Sequence, residues 1–300
     1  ITFADVERVA ALLVGRAPSL STVLTADRLA VAEARAPVGA MKTHLKTHDP
    51  ALIQYTSGST GSPKGVLLSH ANLLANIRAI QRRLDIGAED VGVSWLPLYH
   101  DMGLIGAWLG TLYFGTPLAL LSPLAFLARP VRWLRSLHAH RGTMSIAPNF
   151  AYDLCVHRIG DSELEGLDLS SVRVLLNGSE TVAPETLERF VDRFTPFGLK
   201  PEALLPVYGL AECSVGLATP PTGRRARIDR VVRDTFQETG NATPAAEDDP
   251  SAIRFVSCGR ALPDHNLRVV DESGALVGER CEGHVQFRGP SATSGYYRNP

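Results

Sequence analysis

Short apolar segments alternate with amphipathic segments along most of the chain, and this alternation predicts the order of its elements. The predicted helices are His70–Leu84, with Ser69 as its N-cap, and residues 103–114, 130–140, Asn149–Arg158 and Pro184–Phe194. The predicted strands are residues 51–55, 66–68, 91–96, 118–121, 143–147, 172–176 and 204–207. Short, wholly apolar strands between amphipathic helices are typical of parallel sheets that are covered on both faces. The sequence therefore predicts an α/β fold, mainly parallel sheets flanked by helices.

The pattern changes after residue 219. Residues 220–250 are polar, rich in arginine and then acidic, with little periodicity, which indicates a long excursion or an ordered surface insertion. Predicted strands follow at Ile253–Val256, 267–271 and 284–287. We therefore predict two parts, an α/β core at residues 1–219 and an insertion-like segment with a smaller β-rich subdomain at residues 220–300. Because the chain begins without methionine and ends at Asn299-Pro300, we expect both parts to be truncated within a longer protein.

Composition excludes several classes of function. The chain has 300 residues, 45% of them apolar and 20% charged, as expected for a globular enzyme with a sizeable core. Its formal net charge of −1 offers no basic field, so we predict no nucleic-acid partner. The four cysteines are far apart and form no CxxC pair, which favours a reduced, cytoplasmic setting over a disulfide or zinc framework.

One segment is long and apolar enough to resemble a membrane span. Residues 103–128 contain no charged residue. Gly110, Gly115, Pro117 and Pro123 interrupt it, however, and Gly115-Thr116-Pro117 is a turn signal. We predict a buried helix followed by a buried strand, and no membrane span.

The most informative motif is the loop YTSGSTGSPKG at residues 55–65. Glycines let backbone N–H groups turn toward phosphate oxygens, hydroxyls add donors, and Lys64 supplies positive charge. The loop is not a Walker A motif, because Pro63 precedes Lys64 and Gly65 follows it, and because it joins two predicted strands. A flexible polar turn is the alternative interpretation.

The loop resembles the phosphate-binding signature of the adenylate-forming superfamily, which includes acyl-CoA synthetases, peptide-synthetase adenylation domains and luciferases. Three further segments match in the family's order: WLPLYHDMGLIG at residues 95–106, VLLNGSE at 174–180 and VYGLAE at 207–212. A matching glycine-rich segment follows at residues 289–300. Each motif alone is weak, but together they occur in the family's order from residue 55 to residue 300, so the resemblance is specific.

The resemblance implies a nucleotide site that uses ATP and Mg²⁺. The implied ATP-binding residues are Thr56, Ser57, Gly58, Ser59, Thr60, Gly61, Lys64, Asn177, Gly178, Ser179, Tyr208, Gly209 and Glu212. Lys64 and Glu212 are expected to act in catalysis, with Glu212 as the Mg²⁺ ligand and Tyr208 beside adenine. The alternatives are a solvated carboxylate at Glu212, a core aromatic at Tyr208 and a simple turn at Asn177-Gly178.

The resemblance also implies an acyl pocket beside the nucleotide. His100 is the third expected catalytic residue and is placed at the wall between nucleotide and acyl group; a hydrogen-bonded structural histidine is the alternative. The dipeptide His100-Asp101 also occurs in metal phosphohydrolases, but no further ligand set stands out. Met102, Phe150 and Tyr152 are predicted to complete the pocket with His100.

The segments LPLYHDMGLIG, APNFAYDLC and GLAECSVGLA look much like those of fatty acyl-AMP ligases. That subfamily resemblance implies a fatty acid substrate and transfer of the acyl group to the phosphopantetheine thiol of an acyl carrier protein. It also implies an insertion that disfavours coenzyme A, which we place within residues 227–263. Two alternatives remain open: an acyl-CoA ligase that uses coenzyme A, and a non-catalytic module that only binds nucleotide and acyl chain.

The family's ribose-binding aspartate and the lysine of its carboxy-terminal lid are expected beyond residue 300. Without that lid, the fragment is expected to complete the reaction inefficiently.

Overall fold

Five short apolar strands form one parallel sheet at the centre of the computed structural model. The structure describes residues 24, 25, 28, 44–56 and 63–299. The chain divides into two compact units, residues 1–45 and 46–300, and every element named below belongs to the second unit. That unit contains both sides of the predicted boundary at residue 220, and the division there stays a prediction.

The elements follow the predicted alternation. The helices are α1 (His70–Leu84), a π-helix (Met102–Leu109), α2 (Gly110–Phe114), α3 (Pro123–Ala128), α4 (Val131–Ala139), α5 (Asn149–Arg158), α6 (Pro184–Phe194) and α7 (Arg233–Thr239). The strands are β1 (Pro50–Thr56), β2 (Lys64–Ser69), β3 (Gly92–Ser94), β4 (Leu118–Leu120), β5 (Met144–Ala147), β6 (Val174–Asn177), β7 (Leu204–Pro206), β8 (Ala218–Thr219), β9 (Ile228–Val231), β10 (Ile253–Val256), β11 (Arg260–Ala261), β12 (Asn266–Val270) and β13 (His284–Arg288). Short 3₁₀ turns lie at Asp161–Leu164, Thr195–Phe197, Pro201–Ala203 and Ala211–Cys213.

The central sheet has the strand order β4-β3-β5-β6-β7, and all its pairs are parallel. Ala147 pairs with Asn177, and Asn177 pairs with Pro206, so the last residues of β5, β6 and β7 are neighbours. The loops that leave these strands therefore begin at the same edge of the sheet. This is the edge where ligands bind in open parallel sheets.

Helices cover both faces of this sheet. Val174 belongs to a small cluster with Leu84 of α1, whereas its neighbour Leu175 belongs to the main core. Successive strand residues point to opposite faces, so Val174 and Leu175 face opposite sides of β6. Buried rings of α4, α5 and α6 fill the main core, with Trp133, Tyr152 and Phe190 in successive edge-to-face contacts. The predicted α/β fold is confirmed.

An antiparallel hairpin and a well-capped helix precede the sheet. Thr56 pairs with Lys64, so the two ends of the intervening loop are held side by side. Ser69 and Asn72 then form a capping box that starts α1 directly after β2. The predicted hairpin and the predicted N-cap are both present.

The predicted helix at 103–114 is a π-helix followed by α2. Ile105 is buried, but Leu112 is 66% exposed, so the expectation of a wholly buried helix was wrong for its second half. Leu120 in the following strand is also exposed, because β4 is the edge strand of the sheet. Within the described residues no helix is long and apolar enough to cross a membrane.

After β7 the chain forms two-stranded antiparallel ladders, as the β-rich prediction requires. The polar segment is ordered: β9 and β10 pair, and the unpredicted helix α7 lies between them. Arg254 of β10 forms ion pairs with Glu185 and Glu188 of α6. These ion pairs connect the segment β9–α7–β10 to the helical layer of the core.

Candidate active site

A cavity of about 390 Å³ lies at the carboxyl edge of the sheet. Its walls come from the β1–β2 hairpin, the start of the π-helix, the loops after β6 and β7, and the segment after β13. The predicted site residues that line it are Thr56, Lys64, His100, Met102, Ser179, Tyr208, Gly209 and Glu212. These predicted residues come from four segments that are far apart in sequence, and the fold brings them together at one site.

The phosphate loop is described only at its ends. Ser57, Gly58, Ser59, Thr60 and Gly61 lie outside the described residues. Their predicted roles stay predictions. Thr56 and Lys64, which flank them, both face the cavity.

The loop after β6 is shaped by close backbone packing. Asn177 is fully buried, and its amide donates to Asn149 Oδ1 at 3.2 Å. A Cβ at Gly178 would lie 2.9 Å from the carbonyl oxygen of Val207, so this position requires glycine. Ser179 adopts a positive φ of 74° and reaches the cavity. Asn177 and Gly178 do not line the cavity themselves; they hold Ser179 at its wall.

The loop after β7 turns back on itself. Tyr208 pairs with Ala218 through backbone hydrogen bonds, and a Cβ at Gly209 would lie 1.9 Å from the carbonyl oxygen of Val215. Glycine at 209 therefore allows the tight return of the chain. The ring of Tyr208 is 42% exposed, which leaves it available to stack against a planar ligand.

Glu212 lies on the 3₁₀ turn Ala211–Cys213 and faces the cavity. Its Oε1 accepts a hydrogen bond from the Tyr296 hydroxyl at 2.9 Å, and its backbone oxygen accepts one from the Thr293 N–H at 2.8 Å. The hydrogen bond to the Glu212 carboxylate raises the pKa of Tyr296. Glu212 is thus held in place through both its backbone and its side chain.

Lys64 approaches the same tyrosine from another side. Its Nζ lies 5.2 Å from the centroid of the Tyr296 ring, a cation–π distance. Tyr296 also lines the cavity. Sequence analysis did not single it out, although it lies within the matching segment at residues 289–300; its partner Glu212 is 84 positions away.

His100 is half-buried at the cavity wall. Its Nδ1 lies 2.7 Å from Oδ1 of Asp101. This hydrogen bond raises the pKa of His100, although burial acts in the opposite direction. The imidazole is therefore oriented by its neighbour and is held closer to its charged form.

Two smaller, mainly apolar cavities lie beside the main cavity, and the three together are called the apolar route below. The smaller cavities, of about 70 and 40 Å³, share Ile80 and Gly106 with the main cavity. The first of them also shares Leu84, Ile146 and Leu176 with it. The route runs between α1, the π-helix and the sheet. Apart from Met102 and His100, sequence analysis missed the residues along it, because apolar side chains of buried elements carry no separate signal for a ligand.

Two predicted acyl-pocket residues lie elsewhere. Tyr152 is fully buried in the main core, where its hydroxyl donates to the Leu176 carbonyl at 2.8 Å and burial raises its pKa well above the ordinary value. Phe150 is 41% exposed and packs edge-to-face on Trp95. Neither lines the cavity, because α5 packs with α6 on the other side of the sheet.

The donors present suit Mg²⁺ bound together with phosphates. Within the described residues there is no cluster of three or more acidic, histidine or cysteine side chains that could hold a metal alone. Mg²⁺ usually takes one or two carboxylates and completes its shell with water and substrate phosphates. Glu212, fixed beside Lys64 in an open cavity, fits that requirement.

Comparison with known proteins extends over nearly the whole chain. Residues 3–297 match the family described as "AMP-binding enzyme". A Caulobacter vibrioides protein, provisionally named an acyl-CoA synthetase, is 37% identical over 263 residues, covering 87% of this chain and 46% of that protein. A medium-chain-fatty-acid–acyl-carrier-protein ligase of Teredinibacter turnerae is 38% identical over 256 residues, covering 85% of this chain and 40% of the ligase.

A solved structure agrees in fold. The fatty acyl-adenylate ligase of Legionella pneumophila, in complex with acyl adenylate and pyrophosphate, aligns with a TM-score of 0.82 and 37% identity. The alignment covers 86% of this chain and 45% of the ligase. The chain thus spans about half the length of the relatives it matches.

Proposed function

The chain belongs to the AMP-binding enzyme family, and from that premise we propose that the complete protein activates a fatty acid with ATP to form an acyl-adenylate. One observation carries the proposal: a single cavity holds a lysine, a fixed carboxylate and a partly exposed tyrosine, and smaller apolar cavities adjoin it. The named ligases of Teredinibacter turnerae and Legionella pneumophila support the same substrate class.

In the proposed reaction, a carboxylate oxygen of the fatty acid attacks the α-phosphorus of ATP. An oxygen–phosphorus bond forms, the bond from the α-phosphorus to the bridging oxygen breaks, and pyrophosphate leaves. The protein needs no nucleophile of its own, so its task is to position two anions and to balance their charge. Lys64, with Ser57, Ser59 and Thr60 of the preceding loop, is proposed to contact the β- and γ-phosphates. Mg²⁺ held by Glu212 would neutralise further phosphate charge.

We place the adenine between the loops after β6 and β7. Tyr208 offers its ring face there, and Ser179 offers polar atoms at the opposite wall. Asn177 and Gly178 act indirectly in this proposal, because they fix the backbone that presents Ser179.

The acyl chain is proposed to pass Met102 and enter the route beside Gly106. Burying each CH₂ group contributes about 0.8 kcal/mol, so affinity should rise with chain length until the route is full. His100, oriented by Asp101, lies at the junction of polar and apolar walls, where the substrate carboxylate would lie.

We propose an acyl carrier protein thiol as the acceptor, in a cytoplasmic setting, with coenzyme A as the alternative. The acyl-carrier-protein ligase name of the Teredinibacter turnerae relative supports this choice. We also propose that the ordered segment β9–α7–β10, which Arg254 ties to α6, contributes to it by restricting domain motion. The provisional acyl-CoA synthetase name of the Caulobacter vibrioides relative favours the alternative.

The test uses the full-length protein with ATP, Mg²⁺ and saturated fatty acids of graded length. Acyl-adenylate and pyrophosphate should form, and the acyl group should pass to carrier protein rather than to coenzyme A. Glu212→Gln should lower metal-dependent pyrophosphate release at least about tenfold. The matched control is Glu202→Gln, which alters an exposed carboxylate paired with Arg225. Unchanged release in Glu212→Gln, or amino acids outcompeting fatty acids, contradicts the assignment.

A further inference from the structure

Tyr296 connects the two charged groups of the cavity. Its hydroxyl donates to Glu212 Oε1 at 2.9 Å, and its ring lies 5.2 Å from Lys64 Nζ. Both charged side chains line the cavity, yet in the described part of the chain they form no ion pair with each other. The tyrosine therefore contacts both charged side chains.

The backbone around Tyr296 is fastened to the strand that carries Lys64. The N–H of Tyr297 donates to the Gly65 carbonyl at 2.7 Å, and the Leu67 N–H donates to the Gly295 carbonyl at 3.1 Å. Tyr296 itself forms an antiparallel bridge with Val66. The backbone at Tyr296 is therefore held against β2. Its partner there, Val66, directly follows the phosphate loop at residues 55–65.

The same segment is also fastened to the turn that carries Glu212. Thr293 donates its N–H to the Glu212 carbonyl, and Ser214 Oγ donates to the Ser291 carbonyl at 3.2 Å. Ser291 is fully buried, and its hydroxyl contacts His265 Nε2 and Cys213 Sγ. Because His265 Nδ1 faces the Pro263 carbonyl, the neutral imidazole carries its proton on Nδ1, and Nε2 then accepts from Ser291.

These contacts make residues 291–297 a strap between β2 and the Glu212 turn. A strap held at both ends gives its central side chain a defined place, so the hydrogen bond to Glu212 is preorganised. We propose that Tyr296 is a positioning residue that holds the Glu212 carboxylate ready for Mg²⁺. The inference rests on the proposed role of Glu212 as the metal ligand.

A hydrogen bond to one carboxylate oxygen fixes the direction of the other, as partners of metal ligands do. Without the hydroxyl, the Glu212 side chain gains rotamers that point away from the metal. The ring of Tyr296 continues to face Lys64 in a phenylalanine variant. The loss should therefore appear in metal-dependent binding and leave metal-free nucleotide binding unchanged.

The experiment is calorimetric titration of ATP into the full-length protein, with Mg²⁺ and with chelator in its place. Tyr296→Phe should weaken ATP binding in Mg²⁺ about tenfold and leave the affinity in chelator as in the wild type. The matched control is Tyr297→Phe, because the adjacent ring lies against Arg298 and does not line the cavity. Tyr297→Phe should bind as the wild type under both conditions.

Equal weakening of ATP binding with and without Mg²⁺ overturns the proposal, because that result indicates a general structural role. Unchanged Mg²⁺-dependent affinity in Tyr296→Phe also overturns it. A double variant with Glu212→Gln gives an independent check: if Tyr296 acts through Glu212, adding Tyr296→Phe should cause no further loss of Mg²⁺-dependent affinity. Because binding is measured without a fatty acid, these results stand apart from whether the wild type forms acyl-adenylate.

Discussion

Individual side chains in the cavity take their properties from immediate neighbours. Asp101 faces His100, Tyr296 faces both Glu212 and Lys64, and glycine at 209 permits the chain reversal that presents Tyr208. The placement of each side chain therefore depends on two or three residues. Changing a partner tests the environment without removing the functional group itself.

Asp101→Asn is expected to lower the pKa of His100. The aspartate accepts a hydrogen bond from Nδ1 and favours the imidazolium, so its removal leaves burial as the main influence, and burial favours the neutral ring. The measurement is an NMR pH titration of the His100 ring protons, assigned with His100→Gln.

Asp153→Asn is the matched control for that titration. It removes the carboxylate beside His157, which is an exposed pair on α5, and should leave the His100 titration unchanged. An unaltered His100 midpoint in Asp101→Asn would show that the aspartate does not control this imidazole.

The limits of sequence reasoning at this scale follow from distance along the chain. Lys64 and Glu212 could be predicted because each lies in a local motif. Tyr296 could not, because its role arises from contacts with β2 and with a turn 84 residues earlier. Tyr152 was assigned to the acyl pocket from a motif, but the direction of a side chain on α5 depends on how that helix packs.

The helices and strands that line the cavities determine the course of the apolar route. The parallel strands could be predicted, since β5, β6 and β7 are short apolar runs between amphipathic helices. The π-helix could not, because residues 103–114 have no charged position to reveal the helical period. Its geometry matters, since Gly106 on this helix borders all three cavities.

Gly106→Leu is expected to shorten the range of acyl chains that the protein accepts. A Cβ at this position meets only Val215 Cγ2, at 3.9 Å, so a larger side chain can enter the open junction. Leucine is also a better helix former than glycine, so the helix itself should tolerate the change. The activity ratio of long to short fatty acids should fall at least about tenfold, since two buried CH₂ groups already contribute about 1.6 kcal/mol.

Steady-state kcat/KM over a fatty acid series measures this ratio. Gly87→Leu serves as the control, because Gly87 is exposed and lies outside the three cavities. If Gly106→Leu lowered activity equally for all chain lengths, the route beside Gly106 would not be the acyl path.

At the scale of the whole molecule, arginines join parts that are distant in sequence. Arg254 connects the segment β9–α7–β10 to α6. Arg173, directly before β6, contacts the end of α1 and Asp90, which precedes β3. Arg173 donates to the carbonyls of Leu84 and Asp85 and to both oxygens of Asp90. Such contacts could not be predicted from local patterns, because their partners are 66 to 89 positions apart.

Asp90→Asn is expected to destabilise the fold by about 1–3 kcal/mol near pH 7, because it weakens a largely buried, charge-assisted pair. Burial raises the pKa of Asp90, but hydrogen bonds from Arg173, the Gly87 N–H and Thr143 outweigh it and hold the pKa below its ordinary value. A carboxyl with a lowered folded-state pKa stabilises the protein above its unfolded-state pKa and loses that contribution as pH falls. The difference in unfolding free energy between wild type and Asp90→Asn should therefore be largest near neutral pH and shrink below about pH 4.

Urea denaturation from pH 7 downward measures this difference, with Asp248→Asn, an exposed position, as the control. A difference that stayed constant across this range would mean that the ionised form of Asp90 is not what stabilises the junction of β3, β6 and α1.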